Sequence, residues 1–472
     1  MKSLLPRSMT LAALALLCSQ ALALLCSQAQ AETLQTGKDV EAPTAKWEGV
    51  ALGFEPPQPG LLGDMLGIRP ILEDHGFHYN LGYLSQLSYN AGGGYNHDKQ
   101  ASYIDQFSLT FSQDLQALTG IPDAAIEGNI VNRNHDNNLT RDRLQDPRVG
   151  LTDLSQESFG GQSITRLGWL TFSRSFLDRR LQWRIGMMNK VQDFDQIIPC
   201  DFQTLTLCGG KSANSLTWYN WNVHYWGTTL QYKLTDGLTL KGGVMEQNPS
   251  APSRSHAWSW STKGSKGFLL PMELELKTHA VNQLPGVYNL GVLFTNARQS
   301  DLYEGVSGGP GASDPQGYRS HDRTWFLYTG FNQQVTRHAD DVNRGLSVFY
   351  SLGLGDQRSN YLHWSTSTGI RYRGLFDARP DDWLGFGVSV VKLSDRYKDN
   401  QRYLNQMSGI SDYHDPNYRP VPGHSVTAEL YYRVNVTPWL QLQPGLQYWH
   451  HPAGVSETQD AWVTALKTVV TF

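Results

Sequence analysis

Charged side chains in this sequence recur at every second position, interleaved with apolar ones. Arg180 and Arg184 alternate with Leu181, Trp183 and Ile185, and Arg371 and Arg373 with Ile370 and Tyr372. Glu273, Glu275 and Lys277 alternate with Met272, Leu274 and Leu276 in the same way, so they could balance the arginine charges. Such groups on one wet face are donors and acceptors for a polar solute whose hydroxyls come in pairs. Salt bridges across a wall use the same groups, and for any single arginine they are an equal alternative. A denser cluster, Asn132-Arg133-Asn134-His135-Asp136-Asn137-Asn138 with Arg141, Arg143 and Arg148, is expected in a connection between strands, folded inward or left in solvent.

Aromatic residues gather at Trp218, Tyr219, Trp221, Tyr225 and Trp226, where they could stack on an apolar ring face or form a belt at a membrane interface. Cys200 and Cys208 bracket DFQTLTL; in an oxidising compartment they are expected to form one small disulfide loop rather than a metal site. Enzyme signatures are weak. Gly305-Val306-Ser307-Gly308-Gly309 matches a hydrolase elbow only in form, because that motif needs a strand-to-helix turn and these residues lie in a glycine-rich loop. His450 and His451 are adjacent, and adjacent strand residues face opposite sides, so no metal pair is expected. No HExxH, Walker or dinucleotide pattern is present, and no cofactor is expected.

The elements that carry these residues are strands. Period-two alternation runs through 77–89, 181–187, 226–234, 268–276, 288–294, 325–331, 346–354, 362–372, 384–390, 426–436, 440–448 and 462–472. Several of these exceed the five or so residues usual for globular strands. Their connections alternate between tight turns, such as Thr235-Asp236-Gly237 and Val436-Thr437-Pro438-Trp439, and long polar stretches, such as 132–161 and 300–322. A soluble sandwich would have shorter strands and more even turns, whereas a transmembrane barrel has one end with tight turns and one with long loops. Leu61, Leu62, Met65, Leu66 and Leu72 suggest a short helix within 60–76, although Pro70 would strain a helix interior.

Composition agrees. The chain holds 45 Gly, 22 Tyr and 14 Trp, which suits an aromatic-belted barrel with a wet interior. Its net charge of −4 argues against a nucleic-acid partner. Lys2 and Arg7, an apolar stretch from Thr10 to Leu25, and Ala29-Gln30-Ala31 have the layout of a secretory signal, so residues 1–31 are expected to be removed. The octapeptide ALALLCSQ is duplicated in tandem within that signal. Cys18 and Cys26 each follow Leu, where lipid attachment needs a small residue. Beyond the signal no apolar run of roughly 18 residues could form a spanning helix. The expected layout is therefore a periplasmic segment with a short helix over 32–76 and a transmembrane antiparallel β-barrel over 77–472, in the bacterial outer membrane. Phe472 ends an amphipathic strand in phase with Val470, Leu466 and Trp462, so a C-terminal tag is expected to impair insertion.

Several stretches, in order, carry a resemblance: LLGDMLGIRPILEDHGFHYNLGY, FLDRRLQWRIGMMN, CDFQTLTLCGG, WYNWNVHYWGTTLQYKLTDGLTLKGGVMEQNP, RPDDWLGFGVSVVKLSD and VTPWLQLQPGLQYWHHPAG. Together they span almost the whole chain, which resembles the carbohydrate-selective porin family of Gram-negative outer membranes. That resemblance implies a barrel of about sixteen strands, often monomeric, with a monomer favoured here over a trimer, passing glucose and related neutral sugars by passive diffusion among outer-membrane lipid and lipopolysaccharide. Two other readings remain: a porin for another small solute such as an organic acid, and an outer-membrane barrel enzyme with scattered catalytic groups. For the channel, the lumen candidates are Arg133, Arg141, Arg143, Arg180, Arg184, Glu273, Glu275, Arg371 and Arg373, with Trp218 and Trp221.

Overall fold

The computed structural model describes residues 60–135, 138–198, 200–208, 218–339 and 341–472. The expected signal peptide, and the periplasmic segment up to residue 59, lie outside the described residues. The strands are β1 Phe77–Gly94, β2 Ala101–Asp114, β3 Ala124–His135, β4 Thr165–Phe176, β5 Leu181–Met188 and β6 Tyr225–Lys233. They continue as β7 Leu238–Gln247, β8 Gly267–Val281, β9 Leu284–Thr295, β10 Gln299–Gly305, β11 Tyr318–His321 and β12 Thr324–Gln334. The last are β13 Gly345–Gly355, β14 Leu362–Arg373, β15 Trp383–Leu393, β16 His424–Thr437, β17 Leu440–His450 and β18 Gln459–Thr471. All but β10 and β11 form one closed barrel of 16 antiparallel strands, sealed where β18 pairs with β1 in register Gly82↔Thr471 to Asn90↔Val463.

The period-two pattern builds this wall by turning a soluble protein inside out. Leu230, Leu240, Met272, Leu290, Ile370 and Leu430 point outward and are exposed, as a lipid-facing band requires. The opposite phase holds Gln86, Gln106, Asn129 and Gln447, each 0 % exposed and facing the interior. Closure pairs every barrel strand on both sides, so no strand edge is left open to hydrocarbon.

One end of the barrel has tight turns. Asn282 and Gln283 join β8 to β9 with φ of 53° and 58°, the doubly left-handed geometry that matches strand twist in a two-residue hairpin. A short helix, α1 (Ile68–Asp74), sits at this end. Pro70 is harmless there because it falls in the first turn, where its missing N–H has no helical partner to lose. Arg69 of α1 donates to the carbonyls of Tyr79 (3.3 Å) and Phe472 (3.0 Å), tying the entering chain to both strands of the seam. A second short helix, α2 (Leu115–Thr119), connects β2 to β3 at the same end, capped by Asp114.

The long connections leave the other end. Two carry structure that periodicity did not reveal. The stretch after β9 holds the β10–β11 hairpin, and the connection from β15 to β16 holds α3 (Asp395–Ser408), which starts on a Ser394 cap and stops at Gly409 with φ 66°. β2, β3 and β4 also escaped the sequence reading. Asn132–His135, read as part of a connection, are the last residues of β3.

Candidate functional site

Two long connections fold back into the barrel. Residues 138–164 follow β3, and residues 189–198, 200–208 and 218–224 lie between β5 and β6; much of both is buried. They bind each other through backbone hydrogen bonds, Leu205 N to Leu154 O (2.8 Å) and Glu157 N to Gln203 O (3.0 Å). The barrel wall holds them too. Gln156 donates to the carbonyls of Gln86 (2.8 Å) and Ser102 (2.9 Å), and Glu429 accepts from the amides of Gln203 (2.7 Å) and Thr204 (2.8 Å). A disulfide joins Cys200 to Cys208, and between them Phe202 and Leu207 pack against Phe349 and Tyr431 of the wall.

The charged wall residues anchor these loops. Asp201, fully buried, pairs with Arg371 and with Arg433 (3.1 Å) and accepts from the Tyr431 hydroxyl (3.2 Å). Burial opposes its ionisation, but Arg371, Arg433 and Lys467 outweigh that and hold its carboxyl below the usual range. Arg184 pairs with Glu127 (3.1 Å) and with Asp193 of the inward loop. Lys241 bridges Glu273 (2.8 Å) and Glu275 (2.6 Å), and Glu273 also accepts from the Asp195 amide (2.7 Å) and the Tyr328 hydroxyl (2.8 Å). Lys190 pairs with Asp195 at 2.5 Å. Thus Arg184, Arg371, Glu273 and Glu275 do face inward, but they are buried against loop and wall partners; the two glutamates balance Lys241 rather than arginines.

The other sequence candidates fall in different places. Arg133 is on β3, 2 % exposed, donating to Gln106 Oε1 (2.8 Å) and the Gly160 carbonyl with its guanidinium 5.1 Å from the Trp221 ring. Arg141 pairs with its neighbour Asp142 (2.6 Å), and Arg143 with Asp98 (3.3 Å), near the long-loop end. Arg180 is not on a lumen face. β5 begins only at Leu181, so Arg180 lies in the preceding tight turn, exposed, donating to the carbonyls of Lys233 and Leu234. Trp218 and Trp221 are interior rather than at a membrane interface: Trp218 packs on Phe194 and Tyr328, and Trp221 donates to Asn129 (2.8 Å).

Arg373, its side chain 31 % exposed, pairs with Asp381 (3.1 Å). It shares an inward-facing aromatic surface with two buried arginines. The Trp383 ring lies 4.5 Å from the Arg371 guanidinium, 5.3 Å from that of Arg433 and 5.8 Å from that of Arg373. Trp383, like Arg373, keeps partial exposure. The sequence reading missed Trp383 and Arg433 as site residues, although alternation along 426–436 sets Glu429, Tyr431 and Arg433 opposite Leu430. Asp193, Asp195 and Asp201 carry no periodic signal, because they lie on irregular backbone.

Ser307 sits in the loop closing the β10–β11 hairpin, where its hydroxyl meets Asp314 (3.3 Å); this is no strand-to-helix turn. On the outer face, the Tyr448 ring lies tilted beside Trp462 (4.8 Å) and Trp226 meets Trp260 edge-on (6.2 Å), as suits an interfacial belt.

The model of the carbohydrate-selective porin, OprB family matches residues 98–472. Porin B of Pseudomonas aeruginosa is 36 % identical over 425 residues, covering 89 % of this chain and 93 % of that protein. The high-pH structure of Pseudomonas putida OprB superposes with a TM-score of 0.86 at 37 % identity, covering 89 % of this chain and all of that one. The low-pH structure of the same protein matches with a TM-score of 0.53 at 23 % identity and the same coverage, which bears on the fold alone. With its closed barrel and inward loops, this chain belongs to the carbohydrate-selective porin family and is an outer-membrane channel, not an enzyme.

Proposed function

We propose that the channel passes neutral hexoses such as glucose, and that Trp383 with Arg373 forms the contact at which a sugar pauses. The observation that carries this reading is the part-exposed indole with three guanidiniums around it. A pyranose presents an apolar face to an aromatic ring and paired hydroxyls to planar donors. Most of the charge is already spent on loop anchoring, since Arg371 and Arg433 share Asp201. The remaining contacts are few, so binding stays weak and transit continues. Each inward loop docks on the wall of its own barrel, which supports conduction by a single chain. The test is single-channel recording in planar bilayers while titrating glucose, maltose and a small organic anion. Saturable block by glucose that weakens in Trp383→Ala supports the proposal; block by the anion alone moves the reading to an organic-acid porin.

A further inference from the structure

Away from the conduction path, the long-loop end of the wall gathers three histidines and an aspartate. His424 starts β16, His450 ends β17 and Asp460 lies at the start of β18. The expectation that His450 and His451 face opposite sides fails for a local reason: β17 stops at His450, and His451 has φ 47° and ψ 64°, off the strand. The reversal stacks the two imidazoles, with ring centroids 3.7 Å apart, and the His424 ring lies 6.0 Å from that of His451. The Asp460 carboxylate meets His450 Nδ1 at 2.9 Å and 3.0 Å and accepts from the His451 amide (3.3 Å) and the Tyr448 hydroxyl (2.6 Å). One ligand atom from each of His450, His451 and Asp460 lies within 4.8 Å of the other two.

We propose that His450, His451 and Asp460 bind a divalent transition-metal ion of the zinc class at the outer rim of the barrel, with His424 within reach as a fourth donor. Two imidazoles and a carboxylate are the donor set such borderline ions take. Donor atoms on a tetrahedral ion with bonds of about 2 Å stand about 3.4 Å apart, so part-exposed side chains need to close by an ångström or so. The site is also placed to matter. His450 and Asp460 share the outward phase of Tyr448 and Trp462, two residues nearer the membrane, which sets the ion about 7 Å beyond the aromatic belt. Behind it, Ala453 and Val455 of the same turn pack on Val149 of the inward β3–β4 connection.

Equilibrium dialysis of the untagged, detergent-solubilised full chain against Zn2+ tests this. The expected result is about one Zn2+ per chain, lost in the His450→Ala, His451→Ala double variant and at least tenfold weaker in Asp460→Asn. No retention at micromolar Zn2+ by the parent protein, or equal retention by a correctly assembled double variant, overturns the proposal. A second measurement needs no variant: bound Zn2+ should shield His450 and His451 from diethylpyrocarbonate while exposed His97 and His279 stay reactive. Unchanged labelling at His450 and His451 would equally defeat it.

Discussion

Replacing Asp201 with Asn removes one buried negative charge and changes little else in size. In the folded channel that carboxylate lies between Arg371 and Arg433, whose side chains are 8 % and 5 % exposed, and is itself 0 % exposed. Leaving two buried guanidiniums with a neutral amide costs about 3–5 kcal/mol. If that cost falls on docking of the inward loop, the docked-to-undocked ratio shifts by about 150- to 5000-fold. The barrel should survive, because its ladder is unaffected and the disulfide, Glu429 and Gln443 still hold neighbouring backbone. Single-channel recording should show larger, noisier open-channel current and a shift toward anion selectivity, while heat-resistant mobility on gels is unchanged. Parent-like current, selectivity and sugar block in Asp201→Asn would refute the view that this charge holds the constriction.

Three further outcomes follow from the same contacts. Asp153, buried beside Thr206, has a carboxyl pushed up from 3.8 to about 6, chiefly by burial. Docking therefore takes up a proton, so loop docking should weaken as pH rises from about 4 through 6, and Asp153→Asn should remove that slope in current noise. Breaking the Cys200–Cys208 link with paired Ser substitutions should forfeit about 2–3 kcal/mol of loop restraint and raise current noise without unfolding the barrel, as read by gel mobility. Arg184→Ala leaves Glu127 and Asp193 facing each other buried, and should alter sugar block while leaving gel mobility intact; unchanged block and conductance would show that this pair does not shape the pore.

What the linear sequence determined was most of the wall, β2 to β4 excepted. Alternation along 181–187, 268–276 and 362–372 is a local property, since successive side chains on any strand face opposite ways; it therefore placed Arg184, Glu273, Glu275 and Arg371 on the inner face. It failed at strand ends, where phase has no meaning: Arg180 fell in a turn, and His451 left its strand and swung beside His450. The tertiary structure decided what the inner face meets. Asp193 and Asp201 reach Arg184 and Arg371 only because the irregular β5–β6 connection turns inward, and no periodic signal records the path of such a loop. Whether an inward-facing arginine is buried as a loop anchor or stays part-exposed, as Arg371 and Arg373 respectively illustrate, depends on those partners. Pairings between residues far apart in the chain are set by closure of the barrel and by desolvation within it, and neither is a property of a sequence window.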